Sequence, residues 1–165
     1  MTDQTLIEGW EPPTASERLN ILKSVKSIAV VGVSANPSRP SNFVATYLCS
    51  SSTDYDVYFV NPTVTEILGR PCVPSLADLP VVPDLVDVFR KLEDVPAVAE
   101  ESVDIGAKVF WTQFDLWSPE GARIALDANM DLVMDKCIKI EHARFAGGLH
   151  LSGFNTGVIN SKRRR

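Results

Sequence analysis

The chain has 165 residues, 45% of them hydrophobic and 22% charged, a size and balance that suit one globular domain with a sizeable core. Its net charge of −5 offers no overall attraction for nucleic acid or an anionic membrane, so a small-molecule ligand is the expected partner. Nothing approaches a transmembrane span, residues 1–9 lack the basic start and apolar core of a signal peptide, and the cytoplasm is the expected compartment.

In chain order, Thr14-Ala15-Ser16-Glu17 is a capping box that predicts a helix over 14–24. The run Ile28-Ala29-Val30-Val31 follows as a buried strand and breaks at Gly32 into a small, polar loop. A helix is expected over Ser41 to Cys49, with Ser41 as its cap, and a second strand over Tyr55 to Val60. The connection from Pro62 to Pro83 holds five prolines, which limits it to short turns, a brief ribbon around Glu66 to Val73 and one short helix near Ser75 to Leu79. Three further strands are read at Leu85 to Phe89, Lys108 to Trp111 and Leu132 to Met134, separated by helices at Val95 to Ile105 and Pro119 to Asn129.

Strands alternating with helices imply an α/β domain, a Rossmann-like, doubly wound and mostly parallel five-stranded sheet with helices on both faces. The expected strand order is 3-2-1-4-5, in one domain with a core at about 19–144 and a C-terminal tail at 145–165. Cys49, Cys72 and Cys137 are widely spaced and read as reduced thiols, and with only His142 and His150 beside them no metal site is expected.

Ligands of such sheets sit beyond the carboxyl ends of the strands, so the residues there are the candidates. After the first strand Gly32 permits a tight turn and a close approach, and Ser34 stands where a dinucleotide fingerprint places its second glycine. After the second strand, Asn61-Pro62 replaces the acid that would accept from a ribose hydroxyl. Arg39 in the loop and Arg90 at the third strand end offer paired donors to phosphate oxygens. The plain alternatives stay open at this point: Gly32 and Ser34 also suit a tight turn without a ligand, and Asn61-Pro62 also suits a simple strand end.

The loop Val31-Gly32-Val33-Ser34-Ala35-Asn36-Pro37-Ser38-Arg39-Pro40-Ser41 resembles the first loop of the small CoA-binding domain proteins. Val60-Asn61-Pro62, Leu68 to Pro80, Val86-Asp87-Val88-Phe89-Arg90 and Val133 to His142 agree with the same family, over roughly Leu19 to Arg144. The family is similar in fold to the CoA-binding domain of the succinyl-CoA synthetase alpha subunit. The resemblance implies that coenzyme A or an acyl-CoA is held with its phosphates at Gly32, Val33, Ser34, Asn36, Arg39 and Ser41 and its adenosine end near Asn61 and Pro62. It also implies that Phe89 and Arg90 lie alongside the ligand and that Gln113 contributes a contact. Where the family commonly has Trp-Leu-Gln-Leu-Gly, this chain reads Trp111-Thr112-Gln113-Phe114-Asp115, which puts that last contact in question.

The resemblance implies no reaction, and the expected function is non-catalytic binding by a stand-alone module, as sensor, carrier or partner of a metabolic enzyme, with a homo-oligomer as a further option. One alternative is an enzyme acting on an acyl-CoA thioester through Cys137 or His142. Residues as close as Cys137, Glu141 and His142 are more simply a packed thiol and structurally bonded neighbours. A second alternative is an NAD-responsive redox module, which Ser34 and Asn61 disfavour. The glycines of 147–157 are read as a packed loop, not a phosphate loop, and Lys162 to Arg165 as a solvated terminus.

Overall fold

The structure is a computed structural model and describes residues 4–146. Helix α1 (Ala15–Ser24) opens on the expected capping box: Thr14 Oγ1 accepts from the Glu17 N–H at 3.2 Å, and Glu17 Oε1 accepts from the Thr14 N–H at 2.8 Å. There follow β1 (Ser27–Val31), α2 (Pro40–Leu48), β2 (Asp56–Val60), β3 (Glu66–Ile67), β4 (Arg70–Val73) and β5 (Leu85–Val88). The chain continues with α3 (Val95–Ile105), β6 (Val109–Thr112), α4 (Pro119–Asp127), β7 (Asp131–Val133) and α5 (Ile138–Ala146). Single 3-10 turns at Leu76–Asp78 and Leu92–Asp94 complete the described elements.

The strands form one seven-stranded sheet in the order β3-β4-β2-β1-β5-β6-β7, parallel except for the β3–β4 hairpin. The α/β doubly wound class is as expected, but the order is not. The strand at Leu85 pairs with β1, through Ile28↔Leu85 to Val31↔Val88, so the five long strands run 2-1-3-4-5 and not 3-2-1-4-5. The place outside β2 is taken by β4, from the proline-rich connection, which pairs in parallel through Phe59↔Cys72 and Val60↔Val73. Counting β4 as the third strand restores the doubly wound order 3-2-1-4-5-6, with the chain reversing direction between β1 and β5.

Alternation along the strands sends side chains to two apolar layers. Ala29, Val31, Val86, Val88, Phe110 and Leu132 pack against α3 and α4 through Val98, Ala99, Ala122 and Ala125. Ile28, Val30, Phe59, Leu85, Trp111 and Val133 pack against α1, α2 and α5 through Leu22, Val44, Leu48 and Ile138. Burial on both faces explains why β1, β5 and β6 are apolar at nearly every position, Asp87 of β5 excepted. Among the described residues no helix is long and apolar enough to cross a membrane.

One residue contradicts this layer. Asp87, on the face of β5 shared with Leu85 and in register with Val30 and Trp111, is fully buried with neither carboxylate oxygen hydrogen-bonded. Burial alone pushes its carboxyl well above the ordinary value, so the protonated form is favoured in the fold. A carboxyl raised in this way leaves stability intact below its unfolded value and removes it as pH climbs through the raised native value. Asp87→Asn is therefore expected to be near neutral around pH 4 and stabilising near pH 8 by about 1–3 kcal/mol, read from thermal unfolding. An equal effect at both pH values would contradict a buried, protonated Asp87.

Candidate functional site

The site starts where β1 leaves the sheet. Gly32 has φ +88°, and a Cβ on it would stand 2.4 Å from the Phe89 carbonyl oxygen and 2.8 Å from Arg90 Cδ. The Gly32 N–H donates to Val60 O and the Phe89 N–H to Val31 O, each at 2.8 Å, so the exits of β1, β2 and β5 are laced together just beyond the strands. Glycine is thus required by the approach of β5 itself, with or without a ligand. The same approach sets Arg90 beside the loop.

From Val33 to Asn42 the loop is held by side chains. Asn61 Nδ2 donates to Val33 O at 2.7 Å and Asn42 Nδ2 to Ser34 O at 2.8 Å. The Asn36 N–H donates to Ser34 Oγ at 3.0 Å, and the Ser38 N–H to Asn36 Oδ1 at 2.9 Å. Ser41 does not cap α2 as its position in the sequence suggests. Pro40 takes the first helical position, Arg39 becomes the N-cap with no side-chain bond, and Ser41 Oγ instead accepts from the Ser34 N–H at 2.9 Å. The helix therefore begins without a side-chain cap; Pro40 has no N–H and those of Asn42 and Phe43 donate to Arg39 O at 3.0 and 3.3 Å, so the dipole and the Ser41 N–H are what favour an anion at this end. Arg39 is exposed at that end.

The other expected site residues divide by what their side chains do. Asn61 is at the exit of β2 as expected, but its amide is spent inside the fold: Oδ1 accepts from both the N–H and the hydroxyl of Thr63 at 2.8 Å. Pro62 beside it is exposed. Phe89 is partly buried against the α2 layer, and Arg90 is about one-third exposed in an ion pair with Asp94 at 3.1 Å. Gln113 is buried and ties down the β7–α5 connection, donating to Lys136 O at 2.9 Å while its Oε1 accepts from the Ile138 N–H at 3.4 Å. The structure thus brings Gly32 to Ser41, Asn61, Phe89 and Arg90 together, and gives Gln113 a bracing role one strand away.

The Cys137, Glu141 and His142 group separates in the same way. Glu141 turns to Arg18 in a buried ion pair at 2.6 Å. His142 Nδ1 shares a hydrogen bond with the Tyr47 hydroxyl at 2.8 Å, and its ring packs edge-on against Tyr47 and Tyr55. Burial lowers its pKa, which favours the neutral ring. The glycine-rich tail from Gly147 lies outside the described residues.

Asn42, and the place beside α2 of the ribbon expected around Glu66 to Val73, escape a reading of the sequence. Asn42 carries no mark there beyond being a backbone-bonding residue type in a first helical turn. The β3–β4 hairpin comes near α2, leaving an open cleft of about 540 Å³ bounded by Ala35, Pro37, Asn42, Thr46 and the hairpin residues 66–69.

With this geometry established, comparison with known proteins is decisive. A model of the CoA binding domain matches residues 26–143, which spans β1 to α5 and every residue of the site. The chain belongs to the CoA-binding domain family. The chain is 39% identical over 131 residues to the uncharacterized protein YneT of Bacillus subtilis, covering 79% of this chain and 96% of that one. A solved structure of a hypothetical protein from Pyrococcus horikoshii superposes with a TM-score of 0.77 at 37% identity, covering 84% and 98% of the two chains. An ADP-forming acetate–CoA ligase of Archaeoglobus fulgidus is 35% identical over 102 residues, which cover 60% of this chain but only 15% of the ligase. The matched region therefore covers nearly all of two relatives shorter than this chain and a small part of a much larger enzyme.

Because the β1 exit of this CoA-binding domain is built around a contact that a side chain cannot share, Gly32→Ala is expected to destabilise it by about 2–4 kcal/mol in denaturant titration. A loss under about 0.5 kcal/mol would show that the loop yields easily. Asn61→Ala, which frees the Val33 carbonyl and the Thr63 donors together, is expected to cost about 1–3 kcal/mol by the same measurement.

Proposed function

We propose that this chain is a binding module that reversibly holds coenzyme A or an acyl-CoA at the glycine loop and performs no chemistry on it. The observation that carries the reading is the start of α2. In a member of the CoA-binding domain family, a loop fixed by Asn61, Asn42 and Ser41 leads into a helix end with no side-chain cap. Such an end favours phosphate through the helix dipole and the Ser41 N–H, since Pro40 has no N–H and those of Asn42 and Phe43 donate to Arg39 O. Arg39 at the N-cap and Arg90 beside Gly32 are the cations within reach of a bound diphosphate or ribose phosphate. For Arg90 this means exchanging Asp94 for the ligand, and an i,i+4 surface pair of that kind is weak enough to give way.

Neutral Asn61 supports coenzyme A over NAD. Its amide is engaged with Val33 and Thr63, and no carboxylate stands at the end of β2 to accept from an unphosphorylated ribose. The fates of Glu141 and His142 support binding without catalysis, since the side chains that would activate Cys137 are bonded to Arg18 and Tyr47. In this reading the module acts as a carrier, a sensor or the partner of a metabolic enzyme.

Isothermal titration with coenzyme A, ADP and NAD tests the proposal, with coenzyme A expected to bind best. Arg90→Ala is expected to weaken coenzyme A about 10- to 100-fold while leaving the fold intact. The absence of coenzyme A binding to the purified chain would overturn the reading, and an unchanged affinity would remove Arg90 from the site.

A further inference from the structure

We propose that the segment from Gln4 to Trp10 is an exchangeable strap, seated on its own body in a single copy and able to seat on a second copy, so that two chains pair by trading straps. The proposal stands apart from the coenzyme A reading, because the strap lies ahead of residues 26–143, the region the family accounts for. Its seat is in the α3–α4 layer of the core. Ile7 is buried in the same cluster as Trp117, Leu132 and Met134, and the Trp10 ring lies 5.8 Å from that of Trp117 at 51°. Polar bonds hold the strap between these plugs: Trp117 Nε1 donates to Thr5 O at 2.9 Å, Arg123 Nη2 to Glu8 O at 2.5 Å, and Gln4 Nε2 to Asp135 Oδ2.

These are the features of a bound peptide, with main-chain carbonyls taken by side chains of the body and apolar side chains set into pockets. Gly9, at φ +78°, makes the turn between the two plugs, closed by the Trp10 N–H donating to Ile7 O at 3.2 Å. The groups that hold the strap come from the turn after β6, from α4 and from the exit of β7. Helix α1, which follows the strap in the chain, belongs to the other layer, where Leu22 joins the cluster of Val44 and Leu48 and Arg18 is tied to Glu141 of α5 at 2.6 Å. The seat therefore recognises the strap by the strap's own contacts, whichever body it is chained to.

The link between strap and body is short. Arg18 Nη1 donates to Pro13 O at 2.8 Å and Thr14 caps α1, so the chain from Pro13 onward belongs to the body. Glu11 and Pro12 are exposed, and the consecutive prolines keep the link extended. A swing of this link carries the strap to another copy, where it remakes the same contacts, and such an exchange of identical elements is a low-cost route to a dimer. Leu6, 92% exposed, is an apolar side chain that the seated strap leaves uncovered and that a second body alongside would cover. The exchange also sets Gln4 of one copy on Asp135 of the other, a carboxylate that accepts from the Asp115 N–H at 2.7 Å and so pins the turn after β6.

A full chain lacking only Glu11 and Pro12 tests the exchange, since the deletion removes about 7 Å of reach and keeps the strap from its own seat. It is expected to be a dimer by light scattering, with the Trp117 indole N–H as protected from hydrogen exchange as in the wild type. A monomer, or a dimer whose Trp117 indole has lost its protection, would overturn the proposal. A second measurement does not depend on the folding of that chain: a fluorescent peptide of residues 4–13 is titrated into the wild type and into the full chain with Ile7→Asp, which empties the seat. Saturable binding to Ile7→Asp is expected, and binding to the wild type is expected to be about tenfold or more weaker, because the wild type's own strap competes at a millimolar effective concentration. No saturable binding to either chain, or binding no tighter to Ile7→Asp than to the wild type, would show that the seat does not accept a strap from another molecule.

Discussion

Everything at the functional edge of this domain depends on one close approach, the carbonyl of Phe89 against the backbone of Gly32. A side chain at position 32 would meet that carbonyl at 2.4 Å, so the exits of the two central strands can lie side by side only because one of them is glycine. That approach completes the lacing of three strand ends, with Gly32 bonded to Val60 and Phe89 to Val31. It also delivers Arg90 to the loop and starts the chain toward α2. The feature that reads as a phosphate motif is therefore first a packing solution, and the proposed ligand site is built on top of it.

The loop that follows is rigid through side-chain amides, not through a run of glycines. Asn61 and Asn42 hold the carbonyls of Val33 and Ser34, and Ser41 holds the Ser34 N–H, so the conformation is established without a ligand. Such pre-organisation spares a ligand the entropy of ordering the loop. It also explains how a sequence without the second and third glycines of the dinucleotide fingerprint can keep a defined path to a helix end. The same layer contains the fold's one evident internal tension among the described residues, the unpaired carboxyl of Asp87 under the start of this machinery.

Much of this is legible in the sequence because it is local. Apolar runs bounded by turn residues mark the long strands, the Thr14–Glu17 box marks α1, and Gly32 marks the loop. The strand order is not legible, because it turns on Phe59 and Val60 choosing Cys72 and Val73 as partners across a proline-rich connection. Ser41 reads as a cap, yet the proline just before it moves the helix start by one residue and frees the hydroxyl for Ser34. Asn42 is invisible for a related reason: its place is set by what lies across the loop, which no local pattern encodes. Gln113 reads as a ligand contact only through the resemblance, and its amide serves the β7–α5 connection.

Membership of the CoA-binding domain family groups this chain with relatives of similar length and with a small part of an acetate–CoA ligase. The junction of β1, β2 and β5 is where the proposed ligand sits. Backbone amide shifts recorded during titration with coenzyme A test that placement most directly. The largest changes are expected at Gly32 to Asn42, with smaller ones at Asn61 and Arg90. Saturable shifts confined to the opposite, amino-terminal ends of the strands, or no shifts at all, would contradict it.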